Sequence, residues 1–211
     1  MTGCFMTLEG TEGAGKSTAM AFIQSYLTQV GKTVVITREP GGTALAEEIR
    51  NVLLHPKSAE TMCSQTELLL MFAARAQHIQ TCIIPALSAG KWVVSDRFVD
   101  ASYAYQGGGR GMSMEQIEIM DKLVVSQCYP QLTLLLDLPV EVGFARAEKR
   151  SHQKDRIEEE HRDFFTRVRK VYLKRAEQYP DRIKVINANA SLSEVNAQLE
   201  RVLHQFCERN A

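Results

Sequence analysis

The octet Gly10-Thr-Glu-Gly-Ala-Gly-Lys-Ser17 follows the pattern GxxxxGK[ST], and with its flanks it constrains the fold more than any other feature. Residues 4–8 (CFMTL) form a short apolar run ended by Glu9-Gly10. Residues 16–30 place apolar side chains at 19, 22, 23, 26, 27 and 30, which is helical spacing, and Gly31 follows where a C-cap glycine belongs. A glycine-rich turn between buried strand and helix lets backbone N–H groups converge on phosphate oxygens, under the positive end of the helix. In this reading Gly10, Thr11, Glu12, Gly13, Ala14, Gly15, Lys16, Ser17 and Thr18 cradle a nucleoside triphosphate. Lys16 reaches the β- and γ-phosphates and Ser17 ligates Mg²⁺. The alternative is a strand-to-helix turn without a ligand. The octet alone specifies binding rather than a reaction, since kinases, GTPases, motors and switches share it. The NKxD motif of a guanine-specific GTPase does not occur, and the chain is short for a motor.

The remaining punctuation alternates strand and helix. Residues 33–37, 92–95, 132–136 and 183–186 read as further buried strands. Helical patterns are marked by Leu45, Ile49, Val52 and Leu53, by residues 140–149, and by residues 163–178. Capping-box patterns at Ser64/Glu67, Ser113/Gln116 and Ser191/Glu194 open three more, the first running toward Gly90 with Pro85 as a kink. Five strands separated by helices imply an α/β fold: a five-stranded parallel sheet flanked by helices on both faces. At 211 residues and with no linker, a single domain over 1–211 is expected. Residues 106–112 (QGGGRGM) and the charged stretch 146–162 read as mobile surface segments, the second lid-like. Lys+Arg and Asp+Glu both number 25, so a nucleic-acid partner is not expected and any phosphate site is local. Five widely spaced cysteines without a CxxC fit reduced thiols in a cytoplasmic protein. No apolar run approaches the ~18 residues of a membrane span, and no signal peptide is expected.

Four further segments follow the octet in order: residues 38–43 (REPGGT), residues 72–78 (FAARAQH), Asp96-Arg97-Phe98 with Tyr105-Gln106-Gly107, and residues 155–158 (DRIE). Together they resemble the bacterial thymidylate kinases, P-loop nucleoside monophosphate kinases. The resemblance implies an NMP-kinase-like fold with a lid at about 146–162, Mg²⁺-ATP as donor, dTMP as acceptor, dTDP as product for dTTP supply, and a homodimer. It places Arg97 on the acceptor phosphate and Asp96 beside Mg²⁺, through water; the alternative is a structural Asp96–Arg97 pair. Phe72 and Arg75 lie three apart on one helix face, for stacking on a base and donating to its O4. Many family members carry the ring four residues before the arginine, where this chain has Met71, so Phe72 could instead be an ordinary core residue.

By the same resemblance Ser102 and Gln106 meet the base edge, with Ala101 where a second serine is common. Tyr105 packs where a ribose 2′-OH would lie, or is a buried structural tyrosine. Glu39-Pro40 shapes the pocket, and Arg50 adds a contact to the acceptor phosphate. Glu12, Asp155 and Glu158 resemble a carboxylate set near that phosphate and its metal, and Asn187-Ala188 would line the adenine. The octet holds no arginine, so transition-state charge is expected from the lid, from Arg146, Lys149 or Arg150, with Arg150 first. The alternative for this run is a solvated charged face. Rival readings of the whole chain are a kinase for another nucleoside monophosphate and a non-catalytic nucleotide-binding switch.

Overall fold

A computed structural model describes residues 3–56, 60–126, 128–148 and 155–210. The central strand β1 (Phe5–Gly10) is buried along its whole length. It pairs in parallel with β3 (Trp92–Asp96) on one side and β4 (Leu132–Asp137) on the other. The edges are β2 (Val34–Arg38) and β5 (Ile183–Asn187), so the order is β2-β3-β1-β4-β5, all parallel. A parallel sheet covered on both faces has no polar side, which is why its inner strands read as continuous apolar runs.

Side chains alternate across β1. Met6 and Leu8 pack under α1 (Lys16–Gln29) and α9 (Leu192–Arg209), against Ile23, Leu27, Leu199 and Leu203. Phe5 faces the opposite layer with Leu68 and Phe72 of α3 (Ser64–His78) and with Phe98. On that layer α8 (Arg162–Gln178) adds Phe165, Val168 and Tyr172. α2 (Ala44–Leu54), α6 (Met114–Val124) and α7 (Val140–Glu148) complete the flanks. The C-terminal ends of β2 and β3, Arg38 and Asp96, line one crevice with the turn that follows β1, at the strand ends where ligands of open α/β sheets bind.

Two local expectations are corrected. The Ser64/Glu67 capping box does not form. Cys63 takes the N-cap position in extended conformation, and the buried Glu67 instead accepts from Gln106, Arg110 and Arg156. Three side-chain donors outcompete one backbone N–H. The helix from Ser64 continues through a π-helical turn (Ile79–Ile83) into α4 (Ile84–Ser88), and the switch to wider helical bonding falls directly before Pro85, which has no N–H to give an α-helical bond. Finally, residues 106–112 are not a mobile loop. After the short α5 (Val99–Ser102), Tyr103–Gly109 is π-helical and mostly buried against α8. A Cβ on Gly108 would sit 2.7 Å from Val171, and one on Gly109 2.4 Å from Phe164. These glycines serve close approach rather than flexibility. At Ser191 the expected box is complete, whereas Ser113 caps α6 through the Glu115 amide alone.

Behind the crevice, buried Asp100 accepts from Arg175 Nε at 2.6 Å and from Arg182 at 2.6 and 3.0 Å. Removing one partner of such a group leaves uncompensated buried charge, so Asp100→Ala is expected to lower unfolding free energy by about 3–5 kcal/mol in urea melts. A loss below about 1 kcal/mol would contradict this account. All five cysteines are unpaired. No described helix is long and apolar enough to cross a membrane.

Candidate active site

The turn from β1 into α1 takes backbone conformations only glycine adopts cheaply. Gly13 has φ 73° and Gly15, the N-cap of α1, has φ 87°. A Cβ on Gly13 would also lie 2.1 Å from the Gly143 carbonyl, so α7 backs the turn. Lys16 folds back toward this turn, with Nζ 3.5 Å from the Gly10 carbonyl. Desolvation, and then the nearby Arg97 charge, lower its pKa.

Arg97, just beyond β3, has φ 70°, a left-handed conformation that is strained for a side chain with a Cβ. The flanking backbone is pinned: the Arg97 N–H donates to Leu8 O at 2.9 Å, and the Phe98 N–H to Glu9 Oε1 at 2.7 Å. The guanidinium donates to Gly10 O at 2.9 Å and Glu12 Oε1 at 2.6 Å, and lies 4.8 Å over the Tyr105 ring. Such strain persists only where surroundings impose it, and it aims this arginine at the phosphate turn.

Glu9 sets much of that surrounding. Its other oxygen accepts from Tyr172 Oη at 2.6 Å. Burial first, and then the Asp100 charge, push its pKa up from 4.5 to about 8. Between those values the folded protein holds a proton that the unfolded chain does not, so Glu9's contribution to stability is complete below about pH 4.5 and is lost as pH rises through about 8. Relative to Glu9→Gln, wild type is therefore expected to lose stability across that window in melts run from pH 5 to 9. A flat difference would place the Glu9 carboxyl in the ordinary range.

The end of the crevice away from the phosphate turn is built from α3. Arg75 is buried, and every nitrogen of its guanidinium is engaged. Nε donates to Glu39 Oε2 at 2.7 Å, one terminal nitrogen to Ser102 Oγ at 2.9 Å, and the other to Phe98 O at 3.1 Å. Phe72 is not in the crevice. It is fully buried in the α3 layer with the Arg75 guanidinium 4.6 Å over its ring, and Met71 lines the cavity instead. The physical reason is helical phase: residues 71 and 72 lie about 100° apart around α3, so with 72 buried in the layer against the sheet 71 turns to the cavity, and Arg75 borders both. Phe72 thus supports Arg75 from behind rather than stacking on a ligand.

One cavity of about 240 Å³ unites most of the expected residues. Glu12, Gly13, Ala14, Gly15, Lys16 and Ser17 line one end, and Glu39, Pro40, Arg75, Ser102, Tyr105 and Gln106 the other, with Arg50, Asp96, Arg97, Asp155 and Glu158 between. Gly10, Thr11 and Thr18 flank this lining. Arg50 donates to Pro40 O at 2.8 Å, which ties α2 to the cis Glu39-Pro40 turn. Asp155 Oδ1 accepts from the Ile157 and Glu158 amides, both at 2.9 Å, so this turn is preformed. Its Arg156 points away, to Leu53 O and Glu67.

Asp96 Oδ1 is buried without a hydrogen-bond partner, in the same cavity as Ser17. A buried acceptor left open beside a hydroxyl fits the sparse protein donor set of Mg²⁺, which keeps water and phosphate as its other ligands.

Arg146 is not aimed at the phosphate turn. It donates to Ala188 O at 2.9 Å, beyond the end of β5, and so stands with Asn187 and Ala188 outside the cavity lining. α7 carries it past that strand end. Lys149 and Arg150 lie outside the described residues. Glu9, Tyr172, Glu67, His78 and Arg38 escaped the sequence reading of the site. Glu9 left a signal as a carboxylate on an otherwise apolar strand, and Arg38 and His78 stood in the segments 38–43 and 72–78 without a role assigned.

A family model described as thymidylate kinase matches residues 8–199. A thymidylate kinase of Vesicomyosocius okutanii is 55% identical over 95% of this chain and 97% of its own length. One of Alcanivorax borkumensis is 53% identical over 98% of each chain. The crystal structure of thymidylate kinase from Ehrlichia chaffeensis superposes with a TM-score of 0.77 at 32% identity, over 97% of this chain and 99% of that one. With the phosphate turn, the arginine of left-handed backbone and the buried Arg75 in one cavity, and with matches of this length, the chain belongs to the thymidylate kinase family.

Proposed function

We propose that this protein transfers the γ-phosphoryl group of Mg²⁺-ATP to dTMP, giving ADP and dTDP. The observation that carries the reading is the single cavity running from the Gly10–Ser17 turn past Arg97 to Arg75. Phosphoryl transfer asks the protein for alignment and charge neutralisation rather than covalent chemistry. The glycine turn and Lys16 hold the donor phosphates; Arg97, fixed by its backbone and Glu12, holds the acceptor phosphate in line with them. Ser17, and Asp96 through water, would hold Mg²⁺, which would supply charge neutralisation on the phosphate oxygens. Arg75 and Gln106 read the base, Met71 covers its face, and Tyr105 lies at the sugar. Asp155 and Glu158 orient the acceptor side, and Asn187, Ala188 and Arg146 bound the adenine. Arg150 is the proposed lid donor to the transferring group. The decisive test is an ADP-release screen over all ribo- and deoxynucleoside monophosphates, in which dTMP is expected to give the highest kcat/KM. A clear preference for another monophosphate would overturn the assignment.

Arg75→Ala tests base reading directly. Loss of a charge-assisted contact costs roughly 1.5–3 kcal/mol, so the dTMP/dCMP ratio of kcat/KM is expected to fall by about ten- to a hundredfold, with KM for ATP little changed. An unchanged ratio would remove Arg75 from recognition. A cytoplasmic homodimer completes the proposal. Leu69 of α3 with Ile119 and Leu123 of α6 are more than half exposed, and this supports apolar pairing of two copies.

A further inference from the structure

We infer that His78 is a positioning residue for base recognition, acting on Arg75 through Glu39; this rests on the thymidylate kinase reading above. His78 is fully buried and touches no part of the cavity, yet both its ring nitrogens are engaged. Nδ1 lies 2.9 Å from Glu39 Oε1, and Nε2 lies 2.6 Å from Thr37 Oγ1. The carboxylate accepts only, so Nδ1 carries a ring hydrogen. The second oxygen of the same carboxylate takes Arg75 Nε at 2.7 Å. The order is therefore Thr37, His78, Glu39, Arg75, and it ends at the guanidinium facing the base.

Glu39 has little else to hold it. Its carboxylate is buried, and its described hydrogen bonds are those from His78 and Arg75. Its backbone N–H is fixed on Asp96 O at 2.9 Å, which leaves the side-chain torsions to be set by these two partners. With the His78 hydrogen removed, Oε1 is a sealed acceptor without a donor, a costly state that rotation of the carboxylate relieves. Rotation takes Oε2 away from Arg75 and leaves the guanidinium held only by Ser102 and Phe98 O, without its charged partner.

The ring is also locked from above. A Cβ on Gly42 would lie 2.6 Å from His78 Nε2 and 2.5 Å from Thr37 Oγ1. Gly42 has φ 85°, so at this position the turn needs glycine both for its backbone and for the imidazole beneath. His78 thereby joins residues 38–43 and 72–78, two stretches far apart in sequence, into one recognition unit.

The test compares His78→Asn with His78→Gln, two amides of different reach. The Asn amide falls near the Nδ1 position and can still donate to Glu39; the Gln amide extends toward the Nε2 position and Thr37. Both variants are checked by thermal melting, then assayed for kcat and KM with dTMP, dCMP and ATP, and for dTMP affinity by calorimetry without ATP. His78→Gln is expected to raise the KM and Kd for dTMP about tenfold and to lower the dTMP/dCMP ratio by a similar factor, with KM for ATP within about twofold of wild type. His78→Asn is expected to recover most of that loss. Equal behaviour of the two variants, or a loss in kcat and ATP binding without a change in base selectivity, would overturn the inference and leave His78 a packing residue. Wild type in the same assay tests the function itself, since failure to turn over dTMP refutes that reading whatever the variants do. If neither variant folds, Thr37→Val, which cuts only the outer link, must still raise KM for dTMP while sparing ATP; no change there also overturns the inference.

Discussion

Lys16→Ala is expected to lower kcat by about 10³-fold or more while the protein keeps its fold and binds dTMP nearly as wild type does. Charge placed on the transferring phosphoryl group stabilises the transition state more than the bound substrates, and removal of one such preorganised donor costs on the order of 10²–10³ in kcat or more. Lys16 is suited to that task by its placement in the first turn of α1, folded toward Gly10 O at 3.5 Å. Its charge is held at some cost, since desolvation and Arg97 both disfavour it, so truncation is not expected to destabilise the free protein. The measurement is steady-state kinetics beside a thermal melt. A folded Lys16→Ala protein with near-wild-type kcat would remove the phosphate turn from the chemistry.

The second large effect belongs to Arg97, where the backbone makes a sharper comparison possible. Arg97→Ala and Arg97→Gly are both expected to lose about 10³-fold in kcat/KM for dTMP, because the acceptor phosphate loses its fixed guanidinium. They should differ in stability. At φ 70° an alanine keeps the left-handed strain and a glycine does not, so the glycine variant is expected to be more stable by about 1 kcal/mol or more. Arg97→Lys should not restore activity, since a single ammonium cannot span Gly10 O and Glu12 as the planar fork does. Equal stability of the alanine and glycine variants would mean the backbone relaxes on substitution. Retained kcat/KM in both would separate Arg97 from the acceptor phosphate.

Local pattern and tertiary placement divide the account of this protein. The phosphate turn, the five apolar strands and the final capping box at Ser191 were legible because each is a short-range matter of periodicity, glycine conformation or side-chain reach over three residues. The Ser64/Glu67 box misled for the opposite reason. The pattern is local, but the Glu67 carboxylate is claimed by Gln106, Arg110 and Arg156, which come from far along the chain. Residues 106–112 misled likewise, since a glycine run reads as a flexible loop until α8 is packed 2.4–2.7 Å from where side chains would be.

By itself, then, the sequence determined the class of sheet, the position of the phosphate turn and, through resemblance, most of the residues that line the cavity. Only the tertiary structure decided which of two adjacent residues lines the cavity. Met71 lies in the crevice and Phe72 in the core, a matter of one residue's helical phase set by how α3 packs on the sheet. It alone also decided that Arg146 meets Ala188, that Glu9 and Tyr172 clamp the backbone beside Arg97, and that His78 stands behind Glu39. Those relations join residues up to 163 positions apart, as Glu9 and Tyr172 are, and no local periodicity carries information over that distance.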